Sequence, residues 1–140
     1  MSEQASSPEI ELLKTIYAAI NRNDVPALVN YFDPEIEWTE PVGYPQPGTY
    51  RGHAEVIANI SRGRNTWAEG QCEPERFLVS GDKVIVFLHV RVRLKDHTEW
   101  IDAHIADVYT FRNGRPIKMR SFANQEDVLQ TAGVQASDAT

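Results

Sequence analysis

The sequence predicts an α+β domain, a cone-shaped, curved antiparallel β-sheet packed on three N-terminal helices. Apolar residues first recur at helical spacing, then alternate with period two through the second half of the chain, and tight-turn dipeptides separate those later stretches. Helices grouped before a run of hairpin-linked strands define an α+β layer. Strands this long must coil, and a coiled sheet with helices on its concave side encloses a cavity with one mouth.

The first element opens at Ser7-Pro8-Glu9: a cap residue, proline in the first turn and an acid beside it. Ile10, Leu13, Ile16, Tyr17 and Ile20 follow at helical spacing, and Asn21 to Asp24 break the helix. Asp24 is placed to cap a second short helix carrying Leu28, Val29 and Phe32, which Asp33-Pro34 stops. Residues 35–40 alternate as a strand, with Ile36, Trp38 and Glu40 on one face. The stretch Pro41 to Gly52 holds three prolines and three glycines and reads as a loop, with Tyr44 and Tyr50 in it. A third helix is predicted over 53–62, with Val56, Ile57 and Ile60 as its apolar side.

The second half reads as strands over 73–80, 83–94, 99–111 and 117–123. Gly81-Asp82, Asp96-His97 and Asn113-Gly114 supply the turns. A last helix is predicted from Gln125 to Ala132, stopped by Gly133. The chain divides into a flexible N-terminus over 1–8, one domain over 9–133 and a flexible tail over 134–140.

At 140 residues, with 41% apolar and 24% charged residues, the chain can bury a core of its own without a disulfide. Its one cysteine, Cys72, fits a reducing, cytoplasmic setting. Met1 to Ser7 is polar and unlike a secretory signal, and the apolar run Val84 to Val90 is too short to span a membrane. A net charge of −6 argues against nucleic acid and anionic membrane as partners and leaves a small hydrophobic ligand. The four histidines show no metal-pair spacing in the linear sequence, so no metal and no cofactor is expected. Trp100 and Ile85 on the outer face of the long strands predict a homodimer.

Strand parity exposes two carboxylates on apolar faces. Glu40 shares a face with Ile36 and Trp38, and Asp107 shares one with Ile101, Ala103, Ile105, Tyr109 and Phe111. A carboxylate on a buried apolar face loses hydration and titrates higher than in water. Two such groups at one cavity can divide the work, one as ionised base and one as protonated donor. The structural alternatives are a solvated rim position for Glu40, and for Asp107 a buried acid bonded to His89 or to an arginine of the neighbouring strand. Trp38, Trp67 and Trp100 offer an aromatic wall or core packing, and His89 is a candidate for the pocket mouth.

The run Ile36-Glu37-Trp38-Thr39-Glu40-Pro41-Val42-Gly43 resembles the bacterial ketosteroid isomerases, whose general base is an Asp followed by Pro-Val-Gly; Glu40 stands at that place. Asp107-Val108-Tyr109-Thr110-Phe111 resembles the stretch that holds the same family's oxyanion-hole acid, with Asp107 at its place. The wider pattern, Phe32-Asp33-Pro34 through Trp38 and Phe111-Arg112-Asn113-Gly114-Arg115, is similar to the SnoaL-like branch of the nuclear transport factor 2-like superfamily, with its cystatin-like roll. The likeness runs from about Ile10 to Gly133. It departs from the isomerases on the first helix, where Ile16 takes the place of the family's tyrosine. Tyr17 is next to it, turned by about 100°. A second family tyrosine falls near Ile60, and Ser121 replaces the last-strand carboxylate of the SnoaL-type cyclases.

The resemblance implies a cofactor-independent isomerase or related proton-transfer enzyme on a small hydrophobic carbonyl compound, with Glu40 as base and Asp107 as acid. Tyr17, Trp38, Tyr44, Tyr50, Ile60, Trp67, His89, Tyr109 and Ser121 are the candidate substrate-binding residues. Two other readings stay open: a non-catalytic ligand-binding or dimerisation module of the same fold, and a cyclase, dehydratase or epoxide-opening enzyme using the same acids.

Overall fold

Helix α1 (Pro8–Asn21) begins where the cap signal predicts, with the Ser7 hydroxyl accepting the Ile10 amide at 3.1 Å. The structure, a computed structural model, describes residues 2–3 and 7–131. Ile10, Leu13, Ile16, Tyr17 and Ile20 form the buried side of α1. The second helix is a 3-10 segment, Val25–Asn30, and not the capped helix expected. Asp24 makes no side-chain cap and pairs instead with Arg22 at 3.4 Å. In the tighter winding Val25 and Leu28 turn inward, while Val29, expected on the apolar side, is exposed.

Strand β2 (Glu37–Glu40) keeps the predicted parity, with Ile36 and Trp38 buried. Within the predicted loop lies an unforeseen strand, β3 (Gly48–Arg51), antiparallel to β2. Its four residues are too few to show alternation among the prolines and glycines around them. Helix α2 (Gly52–Arg64) runs slightly beyond its predicted ends, with Val56, Asn59 and Ile60 buried.

The long strands are β4 (Trp67–Ser80), β5 (Lys83–Leu94), β6 (Trp100–Arg112) and β7 (Arg115–Phe122). Turns at Gly81-Asp82 and Asn113-Gly114 join them as predicted, both Asn113 and Gly114 taking positive φ. β4 starts six residues earlier than expected, because 67–72 carries no alternating apolar pattern yet pairs with the far end of β5. Register shifts at Trp67/Glu69 and Pro74/Arg76 bend β4, and Pro74 sits where a ladder bond is already interrupted. With β1 (Ser2–Glu3) pairing on the outer side of β4, the sheet order is β1-β4-β5-β6-β7-β2-β3. β2 runs parallel to β7, so the sheet is mixed rather than wholly antiparallel.

The concave face carries the main core, in which α1, the 3-10 segment and α2 pack on Val84, Val86, Leu88, Tyr109 and Met119. The convex face carries a smaller one, where Val128 of helix α3 (Gln125–Thr131) covers Leu78, Ile85, Phe87, Ala106, Val108 and Phe122. Ile85 is therefore fully buried, contrary to its expected place on an open outer face. Of the two residues behind the dimer expectation only Trp100 is exposed, and Arg91 stacks 4.2 Å over its ring. No described helix is long and apolar enough to cross a membrane.

Gly70, on the early part of β4, has φ 115°, and a Cβ there would lie 2.2 Å from the Arg91 carbonyl oxygen. Gly70→Ala is therefore expected to destabilise the fold by about 2 kcal/mol or more, through both clash and backbone strain. Gly63→Ala, in α2 with nothing within 4 Å, is expected to be neutral or stabilising. Thermal melts of the two variants check this.

Candidate functional site

The cone encloses a cavity of about 330 Å³ between α1, α2, the loop after β2 and the concave face of β4 to β7. Its walls are mainly apolar: Ile20 and Ile60 from the helices, and Val90, Val92, Ile101, Ala103 and Ile105 from the sheet. These sheet residues are the inward-facing set that parity predicts for β5 and β6. Glu40 and Asp107 both line this one cavity.

Asp107 is 6% exposed, in the middle of β6, opposite Val86 on one side and Ser121 on the other. The Tyr17 hydroxyl donates to its Oδ2 at 2.5 Å, and the Tyr109 hydroxyl donates to that of Tyr17 at 2.9 Å. The two tyrosine rings meet edge to face, 6.2 Å apart. Asp107 thus bonds neither to His89 nor to an arginine. Tyr17, a candidate binding residue, lines the cavity although it stands one residue along the helix from Ile16. Leu13, Ile16, Tyr17 and Ile20 stand at i, i+3, i+4 and i+7, one broad buried stripe that holds Ile16 in the core and Tyr17 at the wall.

Burial pushes the Asp107 carboxyl up to about 6, against the lowering effect of the Ser121 and Tyr17 hydroxyls, and the negative charge of Glu40 adds to the rise. Its Oδ1 is buried and makes no hydrogen bond among the described residues. Burial, then the negative charge of Asp107, holds the Tyr17 and Tyr109 phenols well above their usual range, so both remain donors.

Glu40 closes β2 at the cavity. Its Oε2 accepts from Asn59 Nδ2 at 2.6 Å and from Trp38 Nε1 at 3.0 Å, while Oε1 makes no hydrogen bond among the described residues. Asn59 is 1% exposed and was missed by sequence reasoning. The signal was present, since Asn59 lies between Val56 and Ile60 at i+3 on the apolar stripe of α2, where a polar residue needs a partner.

Of the other predicted residues, Trp38, Tyr44, Ile60, Trp67 and Ser121 line the cavity. The Tyr44 hydroxyl lies 3.1 Å from Ser121 Oγ, and burial pushes this phenol up to about 12. Tyr109 stands behind Tyr17 rather than in the wall. Tyr50 turns away to donate to the Gln46 carbonyl at 3.2 Å. His89 lies on the convex face, bonded to Asp102 at 2.7 Å, and does not reach the mouth. Arg64, also unforeseen, donates to the Ile20 and Asn21 carbonyls and lies 4.7 Å over the Trp67 ring, fastening α2 to the end of α1. Cys72 lines the cavity as a neutral thiol, pushed well up by burial. Outside the cavity, two of the four histidines meet across neighbouring strands. The β5–β6 register sets His89 opposite His104, with Asp102 beside them.

The folded-state value of Asp107, about 6, lies above its ordinary 3.8, so the carboxyl opposes folding wherever it must be ionised. The opposition is absent below pH about 4, grows between pH 4 and 6 and is complete above that. Asp107→Asn removes it, and its stability advantage over the unaltered protein should rise through that window to as much as about 3 kcal/mol at pH 8. Denaturant midpoints measured from pH 4 to 8 check this.

The model of the SnoaL-like domain family matches residues 13–119. No curated protein sequence matches the chain. Among solved structures it is similar to an NTF2-like protein of unknown function from Burkholderia pseudomallei, at 27% identity and a TM-score of 0.75 over 89% of this chain and 97% of that one. It is also similar to TerC, co-crystallized with polyporic acid, at 24% identity and a TM-score of 0.74 over 91% and 99% of the two chains. A putative SnoaL-like polyketide cyclase from Jannaschia sp. CCS1 shares the fold at 14% identity and a TM-score of 0.73, over 94% and 99%. With its cavity built on the concave face of an NTF2-like sheet, the chain belongs to the SnoaL-like domain family.

Proposed function

We propose that the protein is a cofactor-independent proton-transfer enzyme, of the isomerase kind, acting on a small and largely apolar carbonyl compound. The observation that supports this reading is the pair of carboxylates on the wall of one apolar cavity, each braced by a helix side chain: Asp107 by Tyr17 and Glu40 by Asn59. TerC, of the same fold, was co-crystallized with polyporic acid, which is in keeping with a small-molecule occupant. A cavity of about 330 Å³ suits a compact ligand.

In this reading the free Oε1 of Glu40 takes a proton from the carbon beside the carbonyl. The electron pair of that C–H bond moves toward the carbonyl oxygen, and neutral Asp107 donates a hydrogen bond to the enolate that develops. Glu40, now carrying the proton, returns it to another carbon of the conjugated system, so substrate and product are isomers. Water is excluded by the apolar walls. Tyr17 and Tyr109 hold Asp107 in place from behind, and their raised phenols stay protonated through the cycle.

A panel of cyclic enones and steroids, followed by the absorbance change on conjugation, tests this. Glu40→Gln is expected to lower kcat by about 10² to 10⁴, and retention of full activity on a validated substrate overturns the assignment. Because the neutral form of Asp107 is lost as pH rises through about 6, kcat/KM should fall across that region. Asp107→Asn, which keeps an N–H donor, should flatten the fall. A limb that rises through pH 6 instead gives Asp107 the role of base. Ligand binding with no turnover anywhere in the panel, and unchanged in both variants, favours a non-catalytic binding module.

A further inference from the structure

The convex face of the sheet carries a polar cluster that takes no part in the cavity. His89 on β5 and His104 on β6 are directly opposed in register, and their rings stack 4.5 Å apart at an interplanar angle of 8°. Asp102, two residues before His104 on the same outward face, places Oδ1 2.7 Å from His89 Nε2. One ligand atom from each of the three residues lies within 4.8 Å of the others. We propose that His89, Asp102 and His104 form a binding site for a divalent transition metal ion of the zinc class, joining β5 to β6 on the side of the sheet away from the cavity.

Two imidazoles and one carboxylate match the preference of Zn²⁺, Ni²⁺ and Cu²⁺ over the hard, oxygen-seeking Mg²⁺ and Ca²⁺. The backbone positions belong to two long paired strands, so only side-chain rotation is needed to bring the donors to metal–ligand distances of about 2.0 to 2.2 Å. All three side chains are open to solvent, at 29% for His89, 55% for Asp102 and 57% for His104, which gives an ion an entry path and leaves positions for water. The neighbours fit the same arrangement. Glu75 on β4 lies 3.3 Å from His104 Nδ1, the kind of carboxylate partner that fixes an imidazole's tautomer and frees its Nε2 for a metal. Arg91 Nε is 3.9 Å from the other Asp102 oxygen, so Oδ1 stays on the histidine side. Its positive charge opposes a bound cation.

The test uses the tag-free full chain titrated with ZnCl₂ by calorimetry, and with CoCl₂ followed by visible absorption. One saturable site per chain is expected, in the micromolar range, together with a rise in Tm and a Co²⁺ spectrum of nitrogen and oxygen ligation. His89→Ala and His104→Ala should each weaken binding at least about tenfold, and Glu75→Gln by about tenfold. Arg91→Gln should tighten binding, a sign that a merely packed surface cluster would not produce. In the unaltered protein, Zn²⁺ should shift the imidazole NMR signals of His89 and His104 and leave those of His53 and His97 in place, a readout that needs no variant to fold. Absence of saturable Zn²⁺ binding below millimolar concentration, binding unchanged in the double histidine variant, or shifts confined to His53 and His97 overturns the proposal.

Discussion

The hydrogen bond from Tyr17 to Asp107 joins the first helix to the middle of the sheet across 90 residues of chain, and the geometry of the cavity depends on it. A carboxyl taken out of water onto an apolar strand face is costly unless something bonds it. Asp107 is nearly closed off from solvent, and the bond the structure gives it comes from the helix layer. The core residues Ile10, Leu13, Ile16 and Ile20 seat α1, which puts the Tyr17 hydroxyl in reach, and Tyr109 supports that hydroxyl from below. Glu40 is held by the same logic from α2, through Asn59. Each acid sits on a strand and is aimed by a helix, so the distance between the two depends on how the helices pack as well as on strand register.

The period-two rule then divides the sheet into two surfaces of different character. On β6, odd-numbered residues from Ile101 to Tyr109 build the concave side and even-numbered ones from Trp100 to Val108 the convex side. The convex side is dry beneath α3 and polar toward the other end of the strands, where His89, Asp102 and His104 gather. A single-residue slip between β5 and β6 would exchange these roles and place a histidine in the cavity and an isoleucine outside.

Much of this was legible in the sequence, and the failures have physical causes. The cap at Ser7, the hairpin turns and the faces of β5 and β6 follow from short-range patterns that the fold leaves intact. β3 and the first half of β4 did not show, because their strand state comes from pairing with β2 and β5 rather than from their own residues. Asp107 was visible as an acid on an apolar face. Its partner Tyr17 was visible as a candidate pocket residue, but its bond to Asp107 spans 90 residues and no local pattern carries it. His89 and Asp102 form a contact set only by the register of β5 and β6, and no linear spacing reveals it.

The parallel pairing of β2 with β7 has a consequence for how the protein assembles. Glu37 to Thr39 meet Lys118 to Arg120, partners about 80 residues apart in the chain. The hairpins of β4 to β7 close short loops, whereas this contact closes a long one at a higher entropic cost. Glu40 reaches the wall that Asp107 occupies through that seam. A ligand that binds the folded cavity and not the unfolded chain therefore also stabilises this seam.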